Sequence, residues 1–430
     1  MMEFGKGPIV IFVLFVLSGL VILSRDTGGG ETLEFWVFAH THYDEYAARV
    51  PAFEAAHPGV TVDLKIVANL HEKLLAAFLS DIGAPDLVEV EISSVGRFFK
   101  GPLEDLGFVD LTDRIDNEGW NEQLVHARLA PWSLNGRTYG LPHDIHPVVL
   151  LYRDDVFRGA GIEPDSIETW QEFVEAGQAV TKDTDGDGEP DQYPLMLSTH
   201  EPGHFWLMLL QRGGGMFDAS GRVIIDDPLA IETLAFYCDL LNGIRVAVPA
   251  FSETPANYAA MKEGLVTGVL AADWYVGMVR KFVPELAGKW RAMPLPAWQK
   301  GGRRTSTWGG TMIGLTQQSR QRELAWEFMK FVYFDTESLA NRYRATAIIP
   351  PLKRAWDHPV FDEPDPYLGS QQLGIMFKDL APDIPSFHLN PYWAEASDRM
   401  RDAVFAATMG EKTPEMALQD LADEIRELMK

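Results

Sequence analysis

Leu33-Glu-Phe-Trp-Val-Phe38 is short, mostly apolar and rich in β-formers, the composition of a strand covered on both faces. The residues from there to Val90 decide the fold. Tyr46, Val50, Phe53 and Ala56 recur at helical spacing until His57-Pro58-Gly59 stops them. Val60, Val62, Leu64 and Ile66 then alternate with Thr61, Asp63 and Lys65, which predicts a second strand. Asn69 with Glu72 predicts a capping box opening a helix whose inner face is Leu70, Leu74, Phe78 and Leu79. Asp86-Leu-Val-Glu-Val90 predicts a third strand. Strand, helix, strand, helix, strand requires right-handed crossovers and a largely parallel sheet, so this segment is α/β. In such sheets the ligand crevice lies beyond the C-terminal strand ends. Here those ends are the loops Ala39 to Tyr43 and Glu89 to Ser94, both polar.

Toward the N-terminus, Ile9 to Leu23 carries no charge, with Lys6 before it and Arg25 after. With its flanks it reaches the lower length for a membrane-spanning helix. It reads as an uncleaved anchor or as a cleaved signal peptide; Val21-Ile-Leu-Ser24 is too bulky for a small-x-small cleavage site, which favours the anchor. No cysteine stands directly after it, so a lipoprotein anchor is excluded. Either reading puts the rest of the chain outside the cytoplasm, in the periplasm or at the cell surface.

Toward the C-terminus, Gly140-Leu-Pro-His-Asp-Ile-His-Pro147 leads into the strand Val148 to Tyr152 and predicts a domain crossing. Met293-Pro-Leu-Pro296 predicts a second crossing, ahead of a strand in Gly309 to Leu315 and a helix over 321–334. Ala394 to Lys430 is amphipathic and helical, interrupted at Gly410.

Composition narrows the function. The 430 residues hold 62 acidic and 37 basic side chains, a formal charge of −25 that argues against nucleic-acid binding. One cysteine, Cys238, excludes an intrachain disulfide framework. No G-x-S-x-G, H-E-x-x-H, Walker or G-x-G-x-x-G pattern occurs. His40-Thr-His42 could share a metal as in a metal-dependent hydrolase, with His143, His146, His200, His204 or Asp273 as further ligands. The eight regular strand–helix units of the barrel on which such hydrolases are built are missing, so this stays the alternative reading.

Asp183-Thr-Asp-Gly-Asp-Gly-Glu-Pro-Asp191 sets Asp183, Asp185, Asp187 and Asp191 at positions 1, 3, 5 and 9 of a calcium-type loop, with Gly188 at 6. Glu189 would supply a backbone carbonyl, and Pro194 stands where a bidentate Glu is usual. A structural Ca2+ is expected there, and no organic cofactor.

Over residues 31–430 the chain resembles the extracellular solute-binding proteins of family 1, the maltose-binding-like receptors of ABC sugar importers. The resemblance rests on Leu33 to Phe38, Phe53-Glu-Ala-Ala-His-Pro-Gly-Val60, Ala84-Pro-Asp-Leu-Val88, Gly136-Arg-Thr-Tyr-Gly-Leu-Pro142 and Leu151-Tyr-Arg-Asp-Asp155. Thr169-Trp-Gln-Glu-Phe173, Ala325-Trp-Glu-Phe-Met-Lys-Phe331 and Gly410-Glu-Lys-Thr-Pro-Glu-Met-Ala-Leu418 extend it in the same order. It implies a type II periplasmic-binding-protein fold, with two α/β lobes and a hinge of three crossings closing on a solute. The division expected is a leader and spacer over 1–30, an N-lobe of 31–142 with 297–335, and a C-lobe of 143–296 with 336–430. The third crossing is expected near Phe334 to Thr336.

The resemblance also implies a monomeric, non-enzymatic receptor that delivers a mono- or oligosaccharide to membrane permease subunits. Sugar sites stack planar rings on the pyranose and fix its hydroxyls with polar groups. Matching positions nominate His40, His42, Tyr43, Glu91, Ser93, Asp144 and His146. From the second lobe come Trp206, Trp274 and Trp393, with Trp308, Gly309 and Gly310 where bare backbone can approach a ligand. Trp36, Trp170 and Trp326 are assigned to the core. The acidic chain disfavours an anionic ligand.

Overall fold

Two five-stranded sheets carry the chain, and each contains strands from distant parts of the sequence. The computed structural model describes residues 30–250, 255–388 and 390–430. The apolar run Ile9 to Leu23 lies outside them. No helix among the described residues is long and apolar enough to cross a membrane.

The first sheet takes β1 (Glu31–Val37), β2 (Val60–Ile66), β3 (Leu87–Glu91), β4 (Leu141–Pro142) and β10 (Thr311–Leu315). Its order is β2-β1-β3-β10-β4, parallel except for β10. Leu33, Phe35 and Val37 are fully buried on one face of β1, against Phe53 and the helix Arg322–Tyr333. The other face is covered by the helix Leu70–Ser80 and by Phe98, Phe99 and Phe108. Burial on both faces is what an uninterrupted apolar strand requires.

The second sheet takes β5 (Val148–Arg153), β6 (Leu195–Ser198), β7 (Ala247–Ala250), β8 (Gly268–Ala272) and β9 (Trp290–Pro294). Its order is β9-β5-β8-β6-β7. The late helices Trp393–Thr408 and Pro414–Leu428 pack into this second core, beside Leu207, Leu234 and Phe205.

The local reading needs four corrections. Residues 40–43 are not a loop: the helix His40–Ala56 starts directly after β1, with the Ala39 carbonyl accepting the Tyr43 N–H at 3.0 Å. Asn69 makes no capping bond, because its left-handed backbone (φ 52°) turns the side chain away from the N–H groups it would accept. Leu79 is 81% exposed, since it stands about 200° around the helix from buried Ala77. Ala56 is likewise exposed at the end of its helix.

Three passages join the sheets. The first runs from Pro142 to Val148. The second runs from Leu295 to Gly310, longer than the expected Met293 to Pro296, and Ala297 to Arg304 stay against the second lobe: Ala297 donates to the Glu168 carbonyl and accepts the Trp170 N–H, and the Trp298 and Trp170 ring centres lie 6.3 Å apart. The third follows Tyr333 into the helix Thr336–Thr346, whose Leu339 is in the first core and whose Ala340 and Tyr343 are in the second lobe. The passages hydrogen-bond to one another: Val148 N–H to Ser306 O at 3.2 Å, and Ile145 N–H to Ile349 O at 3.3 Å.

Candidate functional site

β3 ends at Glu91, on the side of the first sheet that faces the second lobe. From there a cavity of about 240 Å³ opens between the lobes. Glu91, Ser93 and Arg97 line it from the first lobe, Thr307, Trp308 and Gly309 from the second passage, and Glu201, Trp206, Phe387, Trp393, Asp398 and Arg401 from the second lobe.

One wall is aromatic. Trp206 and Trp393 have ring centroids 4.8 Å apart, and Phe387 meets Trp393 edge-on at 4.6 Å. Trp308 is wedged between His204 at 4.9 Å and Trp274 at 5.1 Å. Its indole sits down because Gly203 opposite has no side chain: a Cβ there would meet Trp308 Nε1 at 2.7 Å. The rest of the lining is largely polar. Arg97 Nη2 lies 3.7 Å from Asp398, and Arg401 lies 3.4 Å from Asp398 and 3.7 Å from Glu201. The Glu91 carboxylate accepts the Ser93 N–H at 2.8 Å and the Ser93 hydroxyl. Burial pushes its pKa up.

Beneath this surface lies a buried ionic floor. His146 donates from Nδ1 to Asp273 at 2.5 Å and from Nε2 to Asp144 at 3.0 Å. Burial opposes its charge, but the two carboxylates prevail and raise its pKa to about 9. Asp144 also accepts Arg128 Nη2 at 2.8 Å. Burial opposes its ionisation as well, and His146, His143 and Arg128 together hold it well below the usual carboxylate range. Arg128 continues to Thr307 Oγ1 at 2.9 Å and to the Gly309 carbonyl at 3.1 Å, so the floor fixes the passage that carries Trp308.

Of the residues nominated from sequence, Glu91, Ser93, Trp206, Trp308, Gly309 and Trp393 line the cavity. Asp144, His146, Trp274 and Gly310 form the layer under it. A Cβ on Gly309 would stand 3.6 Å from both His146 and Trp274, and one on Gly310 would collide with Arg128. His40, His42 and Tyr43 are not brought there. His40 is exposed at the helix start, Tyr43 packs on the first core, and His42 is buried with Nδ1 3.0 Å from Glu89. Their departure follows from the early helix start, which puts His42 one turn before buried Tyr46. The sequence reading missed Arg97, Glu201, Phe387, Asp398 and Arg401. The last two sit at polar positions of an amphipathic helix, where the pattern looks like ordinary solvated surface.

The histidine pair does not make a metal centre. Among the described residues, the group of three His, Cys, Asp or Glu ligand atoms lying within 4.8 Å of one another is Asp183, Asp185 and Asp187, in the calcium-type loop. There Asp183 accepts Gly186 N–H at 2.6 Å and Gly188 N–H at 2.9 Å, and Asp191 accepts Thr184 N–H at 2.7 Å. The Glu189 side chain turns away to pair with Arg245, which leaves its carbonyl as the donor expected from it.

Two α/β lobes, three linked passages and a ring-lined cleft between them define a solute receptor of the clamp type. The chain belongs to the bacterial extracellular solute-binding protein family, whose model matches residues 40–337. It is 30% identical to the arabinooligosaccharide-binding protein of Bacillus subtilis (strain 168), over 98% of this chain and 99% of that protein. It is 28% identical to the arabinooligosaccharide-binding protein of Halalkalibacterium halodurans, over 95% and 92%. Its fold matches that of the sugar-binding protein MalE from Xanthomonas citri with a TM-score of 0.78 at 20% identity, covering 92% of this chain and 96% of that one.

Proposed function

We propose that the chain is the extracytoplasmic receptor of an ABC importer and captures a neutral oligosaccharide, of the arabinooligosaccharide class, between its lobes. The observation that carries this is the cleft itself, whose lining combines the aromatic rings of Trp206, Trp393 and Phe387 with the polar side chains of Glu91, Arg97 and Asp398. Sugar rings stack on the first while their hydroxyls bond the second. Full-length similarity to two arabinooligosaccharide-binding proteins supports the ligand class. Binding and release are the whole chemistry, with no covalent step, and the closed form is what permease subunits meet. The apolar run Ile9 to Leu23 tethers the receptor outside the cytoplasm, and the Asp183 to Asp191 loop holds a structural Ca2+.

A thermal-shift screen of the purified chain against arabinooligosaccharides, maltooligosaccharides and galactosides tests the reading. One saccharide at 100 times its Kd raises stability by about 2.7 kcal/mol. Sugar analysis after incubation recovers it intact. No shift with any panel member, or consumption of one, refutes the proposal.

A further inference from the structure

Away from the three passages, the lobes touch at a second place. The 3-10 turn Val95–Phe99 and Lys100, just after β3, meet the start of the helix Trp393–Thr408. Lys100 Nζ bonds Glu395 Oε1 at 2.5 Å and stands 5.0 Å from the Tyr392 ring centre. Arg97 reaches Asp398 one helical turn further on. Next to Arg97, Gly96 rests on the opposite backbone: a Cβ there would lie 2.7 Å from the Asn390 carbonyl and 3.2 Å from Trp393 Cβ.

Both sides are anchored in their own lobe's core. Val95, Phe98 and Phe99 are buried in the first lobe's core, and Trp393, Ala396 and Met400 in the second lobe's core. A hinge motion at the passages therefore cannot open the cleft without breaking these contacts. We infer that Lys100–Glu395 and Arg97–Asp398 form a latch at the cleft mouth that sets the closed-to-open ratio, and through it the affinity for any solute. Lys100 and Glu395 do not line the cavity, so they act as positioning residues and not as ligand contacts. Each pair is partly exposed, which keeps its contribution small enough for the clamp to reopen.

The latch presumes lobes that open and close, but no particular sugar, so its test uses none. Spin labels go on exposed Leu79→Cys in the first lobe and Met409→Cys in the second, in a Cys238→Ser background of the full chain. Pulsed EPR then reads the interlobe distance distribution without ligand. Lys100→Glu and Glu395→Lys should each lower the closed-to-open ratio about threefold, and the double charge swap should restore it. Lys100→Arg should keep the wild-type ratio. A ratio unmoved by either single change, or not regained in the swap, overturns the latch. So does a wild-type distribution with no closed fraction. Failure of every saccharide to bind would refute the sugar reading and leave this measurement standing.

Discussion

His146 Nδ1 lies 2.5 Å from Asp273 Oδ1, joining the first passage to the helix Asp273–Phe282 of the second lobe. The same Asp273 carboxylate accepts Ile349 N–H at 2.9 Å from the third passage. Through Asp144 and Arg128 the contact reaches Thr307 in the second. One imidazolium therefore ties all three passages. Its backbone is in the left-handed region (φ 48°), a conformation costly for a residue other than glycine that the double ion pair holds in place.

The first prediction concerns pH. The folded-state pKa of His146 is raised from 6.5 to about 9. Its contribution is fully present below pH 6.5 and is lost as pH rises through 9. His42, raised by Glu89 against the pull of burial, acts in the same direction. His204, lowered to about 4 by burial, acts in the opposite sense and destabilises only as the solution turns acid. Thermal unfolding should thus show an alkaline limb. His146→Gln should cost on the order of 2 kcal/mol at pH 6.5, and that gap should close by pH 9.5. A gap independent of pH would show that His146 is not charged in the fold.

Gly309 (φ 83°) and Gly310 (φ 151°) both carry a positive φ that strains an alanine, and only Gly310 adds a collision. A methyl on Gly310 would stand 2.2 Å from Arg128 Nη2 and displace the Arg128–Asp144 pair. Gly310→Ala should cost about 3 kcal/mol in urea unfolding, the range for disrupting a buried ion pair. At Gly309 (φ 83°) the nearest atoms would be at 3.6 Å, so Gly309→Ala pays backbone strain alone, about 1 kcal/mol. Equal costs at the two positions would contradict this assignment of the floor.

The strands of the first lobe were legible because burial on both faces leaves a local mark, as in Leu33, Phe35 and Val37. Glu91, Trp308 and Trp393 were legible through the resemblance, which fixes where strand ends and late helices fall. His42 was misplaced because nothing local separates a polar loop from a polar first turn. Whether a histidine faces solute or Glu89 depends on a strand forty-seven residues away. Arg97 and Asp398 were invisible for a similar reason: each looks like a solvated charge until the two lobes meet.

Trp206 is half-buried, meeting Trp393 on one side and the cavity on the other. Trp206→Ala should weaken oligosaccharide binding by about thirtyfold, the loss expected when an aromatic anchor is truncated. Trp206→Phe should recover most of it. Calorimetric titration of folded variants measures both, and an unchanged Kd in Trp206→Ala would remove the aromatic wall from the site.

Calcium gives the last prediction. Asp183, Asp185 and Asp187 hold carboxylate oxygens within 4.8 Å of one another, all exposed. Without a cation such neighbours repel, and the Gly186 and Gly188 N–H groups donated to Asp183 only partly offset this. An ion bound by the folded loop alone stabilises the chain by mass action, about 1.4 kcal/mol at ten times Kd. Adding millimolar CaCl2 to chelator-treated protein should therefore raise Tm, and Asp183→Ala should abolish the response while leaving oligosaccharide affinity unchanged. The loop joins the helix Trp170–Val180 to β6 and none of its residues lines the cleft, so the two readouts are separable. If Tm does not move with calcium at any concentration, the acidic loop is solvated surface; if oligosaccharide affinity moves with it, the loop is coupled to the hinge through β6.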